Sequence, residues 1–353
     1  MSKPEAPPPY TNRHLEDDAS YIQPPQQAGD EPVYFEDAAP RGWTVIINKR
    51  RWNDGHKIFV SKDAAEKYET FRESSNEHIL ELQRNGIGMP LLKTDLPFSP
   101  FSSKFLTFSK YVPNKEGKFD DSKDFHVYCD VRRSIHRGYN TYVFNFIPDP
   151  DSPDQNFQIF MFAHSTYPIC DYKYKGQVHR WVDVSSQAKS KSYNEIKYAF
   201  KHTVLNPGQP SLVDNWDGCS NKLDKTKPNP FLKSMFKLKL TTGLRSPKPE
   251  YFGKHCPAFL GEQRARFRTG YGQVKIDDLY STDPNVNYES VLSMHDDALV
   301  LVCVATVLKK QKDNDEDART NGSYGFGTAG VNTMDAVNTV GAVNTMAAGS
   351  YEC

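Results

Sequence analysis

The sequence predicts a mainly β domain of antiparallel strands, arranged as a barrel or a sandwich, and three observations lead to that prediction. Between residues 100 and 275, short aromatic and β-branched runs follow one another, separated by Pro, Gly, Asn and Asp, without helical periodicity. One apolar run lies near the C-terminus, at residues 298–308. Both ends of the chain lack an aliphatic pattern, so we expect disordered tails beside the domain.

The expected organisation has three parts. Residues 1–40 hold eight of the 24 prolines and few aliphatic side chains, which predicts a disordered, acidic arm with polyproline II character. Residues 41–310 are expected to form the folded domain. Residues 311–353, in which Val-Asn-Thr recurs at a period of six from Val331, are expected to form a disordered, low-complexity tail.

The domain is expected to open with a hairpin and a helical insertion near residues 61–86. Trp43–Ile47 is predicted as a strand, with Ile58–Val60 as its partner. The insertion follows from apolar residues at helical spacing: Ala64, Ala65, Tyr68 and Phe71. Ser74 and Glu77 have the spacing of a capping box for a second helical turn, and Gly86 can end that turn.

Strand after strand is then predicted. The runs are Phe105–Tyr111, Phe125–Val131, Tyr142–Ile147, Phe157–Phe162, Tyr172–Tyr174, His179–Val184, Ile196–Phe200 and Phe236–Leu240. Several of them alternate apolar and polar side chains, which is typical of strands with one buried face.

The run at 298–308 has Thr306 as its one polar residue. It is too short to cross a bilayer, which needs about 20 residues. Acidic residues precede it and lysines follow it, which suits a helix dipole: Asp296, Asp297, Lys309, Lys310 and Lys312. A helix that is apolar on every side must be surrounded by protein. We favour a buried helix, and a buried central strand stays open as the alternative.

The formal charge of zero is a sum of unlike parts. Residues 1–40 carry a net charge of −6 and residues 311–353 carry −4, so the segment between them carries +10. A basic body between acidic tails indicates an anionic partner surface, such as phospholipid headgroups or nucleic acid. The alternative is that the acidic tails keep a basic domain soluble.

Pro7, Pro8, Pro9 and Tyr10 form a P-P-x-Y motif, which is a ligand for WW domains. A preformed polyproline II turn places the proline pair in an aromatic groove at low entropic cost, and the tyrosine fills the neighbouring pocket. Pro32 and Tyr34 form a weaker second site that would add avidity. Partners of this kind include the HECT ubiquitin ligases. The alternative is a chance match in a proline-rich arm.

Two rows of cations alternate along predicted strands and are candidate phosphate-binding or lipid-binding residues. They are Lys233, Lys237 and Lys239, and Arg264, Arg266 and Arg268, with Arg50, Arg51, Arg132 and Arg133 as further charge. Such rows suit phosphates because arginine offers a planar fork and lysine a point charge. The alternative is the solvated face of a half-buried strand. Nucleic acid is not expected, because the aromatic residues alternate like core residues and no RNP-like run is present.

Catalytic and cofactor motifs find no support. There is no H-E-x-x-H and no G-x-S-x-G, and the six cysteines form no C-x-x-C, so we expect no metal, no cofactor and no enzyme. The N-terminus opens without an apolar segment, which favours a cytoplasmic or nuclear protein with reduced thiols, peripheral at membranes.

A dozen short antiparallel strands closed by one apolar helix near the C-terminus resemble the tubby C-terminal-like fold of tubby, LURP-one-related and scramblase-like proteins. The resemblance covers residues 42–310. It implies a 12-stranded barrel around a hydrophobic helix, here residues 298–308, and a basic patch that binds phosphoinositide headgroups. The helical insertion is a departure from that pattern.

These observations favour a non-enzymatic cytoplasmic adaptor. Its barrel would bind anionic phospholipid, and its arm would recruit a WW-domain protein such as a HECT-type ubiquitin ligase. Two alternatives stay open: a soluble interaction scaffold without membrane binding, and a lipid-handling enzyme with an unrecognised site.

Overall fold

The computed structural model describes most of the expected domain. The described residues are 42–49, 55–72, 74–96, 103–120, 122–165, 167–185, 196–205, 207–231, 264–268, 271–277, 290–292 and 294–323. Within them, twelve strands close into a fully antiparallel barrel in which each strand pairs with its neighbours in the chain and β12 pairs with β1. The predicted β class is therefore confirmed, and the structure shows a barrel rather than a sandwich.

The strands overlap the predicted runs, but β5 and β10 continue five and four residues further, and β6 and β8 begin three residues earlier. They are β1 Gly42–Lys49, β2 His56–Phe59, β3 Leu92–Asp95, β4 Lys104–Tyr111, β5 Phe125–His136, β6 Tyr139–Phe146, β7 Phe157–His164, β8 Ile169–Tyr174, β9 Gln177–Asp183, β10 Tyr198–Val204, β11 Arg264–Arg268 and β12 Tyr271–Asp277. The analysis of the sequence missed β3, whose four residues are too few to show alternation, and β12, which contains Gly272. The predicted strand Phe236–Leu240 lies outside the described residues.

Two helices form the predicted insertion, α1 Lys62–Arg72 and α2 Glu77–Arg84. Tyr68 of α1 packs on Phe59 of β2, with ring centroids 5.4 Å apart, so α1 covers the outside of β1 and β2. The predicted capping box of α2 is wrong. Asn76 is the N-cap, because its side chain accepts a hydrogen bond from the His78 N–H at 3.0 Å. Gly86 does follow the helix, with a φ of +86°.

The apolar run is a helix, as favoured above. It belongs to α3, Asp296–Ser323, and every residue from Ala298 to Lys309 is buried. The helix continues well past the predicted end at Leu308, into the segment that the sequence assigned to the tail. Lys309 and Lys312 therefore lie inside the helix, where they pair with Asp313 and Asp183 rather than with the C-terminal dipole. Among the described residues, no helix has the length and hydropathy needed to cross a bilayer.

The helix α3 threads the barrel from one end to the other. Asp297 accepts a hydrogen bond from the hydroxyl of Tyr174, the last residue of β8, at 2.6 Å. Lys312 pairs with Asp183, the last residue of β9, at 2.6 Å. Because β8 and β9 are antiparallel, these contacts lie at opposite ends, here called the proximal and the distal end. Between them the helix rises roughly 22 Å, about the length of a seven-residue strand.

The barrel interior is a packed core. The buried side chains of α3 share one apolar cluster with inward-facing residues of the strands, including Val45, Phe108, Phe144 and Trp181. Hydroxyl groups seat the proximal end of the helix, where Tyr128 donates to Asp296 at 2.9 Å.

A second apolar cluster lies outside the barrel, where the segment 207–231 covers the wall formed by β6 to β9. Beneath it, Arg180 donates two hydrogen bonds to Asp171, each 2.7 Å long, and both residues are buried. The backbone N–H of Leu212 donates to the same carboxylate at 2.9 Å. This ion pair fixes the segment to the wall, because leaving either charge buried and unpaired would be costly.

Candidate functional site

Many of the predicted site residues lie outside the described residues. These are the WW ligand Pro7, Pro8, Pro9 and Tyr10, the weaker motif Pro32 and Tyr34, and the row Lys233, Lys237 and Lys239. Their predicted roles stay predictions.

The arginine row lies on β11. Ala265 and Phe267 are fully buried, which puts positions 264, 266 and 268 on the other face of the strand. In the register, Arg264 lies between Lys201 of β10 and Lys275 of β12. Lys201 is exposed and Lys275 is half-buried. The register therefore places Lys201 and Lys275 on either side of position 264.

The surface around Arg266, the middle residue of the row, is largely buried. Arg266 is half-buried, and the two positions that flank it across the sheet, Ala199 and Gln273, are buried. The outer wall is therefore covered around Arg266. The predicted role of Arg264, Arg266 and Arg268 in phosphate binding stays a prediction.

A second group of cations lies at the distal end, on the β5–β6 hairpin and the loop beside it. We call it the basic hairpin patch. It consists of Arg132, Arg133 and Arg137 of the hairpin with Lys222 and Lys225 of the loop. The sequence analysis noticed Arg132 and Arg133 only as additional charge.

On one side the hairpin extends past its neighbour β4, while on the other side β7 pairs with β6 as far as Tyr139. The pairing of β5 with β4 ends at Arg132, so the remaining residues of β5 pair with β6 alone. Ile135 near the tip is 54% exposed although the preceding alternate residues face the core. The patch therefore combines cations with an exposed aliphatic side chain.

Hydrogen bonds hold the loop against the hairpin. Asn221 donates through its side-chain amide to the hydroxyl of Ser134 at 3.1 Å, and its carbonyl accepts from the hydroxyl of Thr141 at 2.8 Å. The backbone N–H of Leu223 donates to the hydroxyl of Tyr139 at 2.9 Å. Lys225 lies over the Tyr139 ring, 5.8 Å from its centroid. The lysines of the loop are thereby fixed beside the arginines of the hairpin.

The pKa of His136 depends on the positive charges of the basic hairpin patch. Its imidazole stacks on Tyr139 with ring centroids 4.7 Å apart. Burial lowers the pKa of His136, and the positive charges of Lys222 and Lys225 lower it further. The carboxylate of Asp130 partly offsets the positive charge of the patch. Its Oδ1 lies 3.2 Å from Nζ of Lys104, and its Oδ2 lies 3.8 Å from Nε of Arg132. The patch is positive overall, and it favours an anionic ligand.

The barrel interior offers buried imidazoles rather than a metal centre. Nδ1 of His179 lies 3.1 Å from Nε2 of His202, and burial lowers the pKa of His179 to about 4. The described part of the chain contains no group of three or more His, Cys, Asp or Glu residues that could hold a metal ion.

A comparison with protein-family models identifies the family of this chain. The family model DIA1 matches residues 40–317, which include the barrel strands and the buried part of α3. The chain belongs to the DIA1 family. No curated protein and no solved structure is detectably similar to it. The DIA1 match covers the basic hairpin patch and the β11 row, and it excludes the arm that carries Pro7 to Tyr10.

Sequence reasoning missed half of the patch. Lys222 and Lys225 lie almost 90 residues after Arg133, in a polar loop with no periodicity. The Arg-Gly sequence at 137–138 does indicate a hairpin turn beside Arg132 and Arg133. Nothing in the sequence indicates that Asn221 docks on that hairpin.

Removing the two loop lysines should raise the pKa of His136. In the variant Lys222→Ala/Lys225→Ala we expect the pKa of His136 to rise, because the repulsion that disfavours the imidazolium is gone. The measurement is an NMR titration of the imidazole, assigned with His136→Gln. Lys115→Ala, which removes an exposed cation of the β4–β5 loop, is the control. An unchanged pKa in the double variant would show that the lysines do not act on this site.

Proposed function

We propose that this DIA1-family protein is a non-enzymatic adaptor of the cytoplasmic side of membranes. Its barrel binds anionic phospholipid surfaces through the basic hairpin patch, and its N-terminal arm recruits a WW-domain protein, such as a HECT-type ubiquitin ligase. The observation that carries the proposal is the grouping of the five patch cations at one end of the barrel, on a hairpin and the loop docked on it, with Ile135 of the same hairpin exposed.

The charge of the patch is sufficient for reversible docking. Each Lys or Arg near an anionic bilayer contributes about 1 kcal/mol at ordinary ionic strength. Five such residues give about 5 kcal/mol before Asp130 is discounted, which is near the millimolar to submillimolar range. An aliphatic side chain at the tip adds affinity when it enters the interface. Weak docking of this kind suits a protein that gains avidity from a second partner.

A non-enzymatic role is supported by the way in which the interior is used. The helix α3 and the inward-facing aromatic residues fill the space in which a barrel enzyme would bind its substrate. The tubby-like resemblance supports the same reading, because it implies a barrel around an apolar helix with a basic patch for phosphoinositides. Because the interior is filled, a ligand would bind at the rims or on the outer wall of the barrel.

One observation favours the second candidate, a soluble protein-interaction scaffold. The amphipathic helix α2 has no buried residue, and Ile79, Leu80 and Leu82 are each half-buried. A groove beside it is lined by Leu80 and Phe119 together with charged residues of the β4–β5 loop. A partner protein could cover this face without any membrane.

Flotation with vesicles separates the two candidates. The intact protein should float with phosphatidylserine vesicles at low salt, and flotation should fall as salt screens the charges. The variant Lys222→Ala/Lys225→Ala should bind roughly thirtyfold more weakly, because two patch cations worth about 1 kcal/mol each are lost. The variant Lys201→Ala/Lys275→Ala removes the same charge from the β10–β12 wall and should float like the wild type.

The two double variants, which remove equal charge, also show which part of the proposal a contrary result would contradict. A loss confined to Lys201→Ala/Lys275→Ala would move docking to the wall and contradict the role of the hairpin patch. A wild-type protein that stays unbound at low salt would contradict membrane docking altogether and favour the scaffold.

The arm is tested separately. Tyr10→Ala should remove WW-domain proteins from those captured by the intact chain, because the pocket beside the proline groove requires the tyrosine ring. Tyr21→Ala changes a tyrosine of the same arm outside a P-P-x-Y motif and should capture the wild-type set. The readout is mass spectrometry of proteins bound from a cell extract. Equal capture by Tyr10→Ala would contradict the recruiting role.

A further inference from the structure

Arg133 differs from the other cations of the basic hairpin patch. Its guanidinium lies over two rings at the distal end of the barrel, 5.8 Å from the centroid of Phe105 and 5.9 Å from that of Tyr142. Its Nε atom is buried without a hydrogen-bond partner. No carboxylate oxygen in the described part of the chain lies within 4 Å of it. The side chain as a whole is half-buried.

Tyr142 supplies a second donor beside it. The residue lies directly opposite Arg133 in the β5–β6 register and is 0% exposed. Its hydroxyl group is buried and has no hydrogen-bond partner. Burial raises the pKa of Tyr142, so the hydroxyl stays protonated and can donate. A buried hydroxyl without a partner costs stability, so an acceptor placed beside it would gain a hydrogen bond.

Two donors without partners therefore belong to residues that face each other across the β5–β6 ladder, and one of them is cationic. We propose that Arg133 and Tyr142 form a subsite for a phosphate monoester, which reaches the rim as the headgroup of a lipid docked on the basic hairpin patch. The subsite rests on the proposed function for the delivery of its ligand. A monoester fits because it offers acceptor oxygens only, matches the arginine fork and carries more charge than a diester.

An acidic residue opposes the ligand. Asp315 of α3 is half-buried and close enough to the Tyr142 hydroxyl to raise its pKa, and it makes no ion pair within the described residues. Its carboxylate repels an anion at this rim. Asp315 thus weakens the affinity of the wild-type subsite for phosphate. A variant without this charge should bind phosphate more tightly, whereas variants that lose a donor should bind it more weakly.

Vesicles of two kinds distinguish the subsite from general attraction. The intact protein is floated with phosphatidylcholine vesicles containing phosphatidic acid, a monoester, or containing phosphatidylserine, a diester, at the same zeta potential. The wild type should prefer phosphatidic acid. Tyr142→Phe keeps the ring and the charge but removes the hydroxyl, so it should lose about tenfold on phosphatidic acid and nothing on phosphatidylserine.

Two further variants test the chemistry. Arg133→Lys keeps the charge of the patch but loses the planar fork, so the preference for phosphatidic acid should disappear. Asp315→Asn should strengthen binding to phosphatidic acid by about threefold. The folding control is urea unfolding, in which Tyr142→Phe should be at least as stable as the wild type, because the lost hydroxyl had no partner.

The results separate this subsite from the proposed function. Equal wild-type flotation with both lipids, or an undiminished preference in Tyr142→Phe, overturns the subsite and leaves membrane docking intact. If neither vesicle binds, membrane docking fails, and titration of the intact protein with soluble glycerol 3-phosphate decides the subsite alone. Binding that Tyr142→Phe weakens supports a phosphate-monoester site, and no binding overturns it.

Discussion

The structure depends on the burial of α3 inside the barrel. Each fully buried Val or Leu contributes roughly 1.5–3 kcal/mol, and the helix is buried over its whole circumference from Ala298 to Lys309. Neither partner is stable alone: the helix would expose an apolar surface, and the barrel would enclose a void. Polar contacts at both ends fix the position of the helix, with Asp297 bound to Tyr174 at the proximal end and Lys312 paired with Asp183 at the distal end.

This use of the interior has a consequence for function. A barrel that holds a ligand keeps its axis open, whereas the axis here is occupied by side chains of the same chain. Chemistry and recognition are left to the rims and the outer wall. The segment 207–231 covers the wall at β6–β9, and α1 covers it at β1–β2. The β5–β6 hairpin at the distal rim keeps Arg132, Ile135 and Arg137 exposed to solvent.

Much of the fold could be predicted because it depends on local patterns. Aromatic and β-branched runs indicate strands wherever the run exceeds about five residues, and an apolar run with acidic residues before it indicates a buried helix. The N-cap of α2 could not be predicted, because Ser74 and Asn76 are both good caps and packing selects between them.

The candidate site was less predictable. Alternation correctly put Ala265 and Phe267 on the buried face of β11. Ala199 and Gln273 are buried on the other face of the sheet, and this burial depends on tertiary structure that the strand pattern does not predict. The same is true of the contact between Asn221 and the β5–β6 hairpin, which brings together cations that lie far apart in the chain.

Hydrogen exchange of the intact protein, with and without phosphatidylserine vesicles, tests the central claim that the interior is structural and the distal rim binds the surface. We predict that amides of 298–308 exchange slowest in both conditions, and that vesicles slow exchange only in the segments 132–139 and 217–227. Protection of 264–277 instead, or fast exchange of 298–308, would contradict the account.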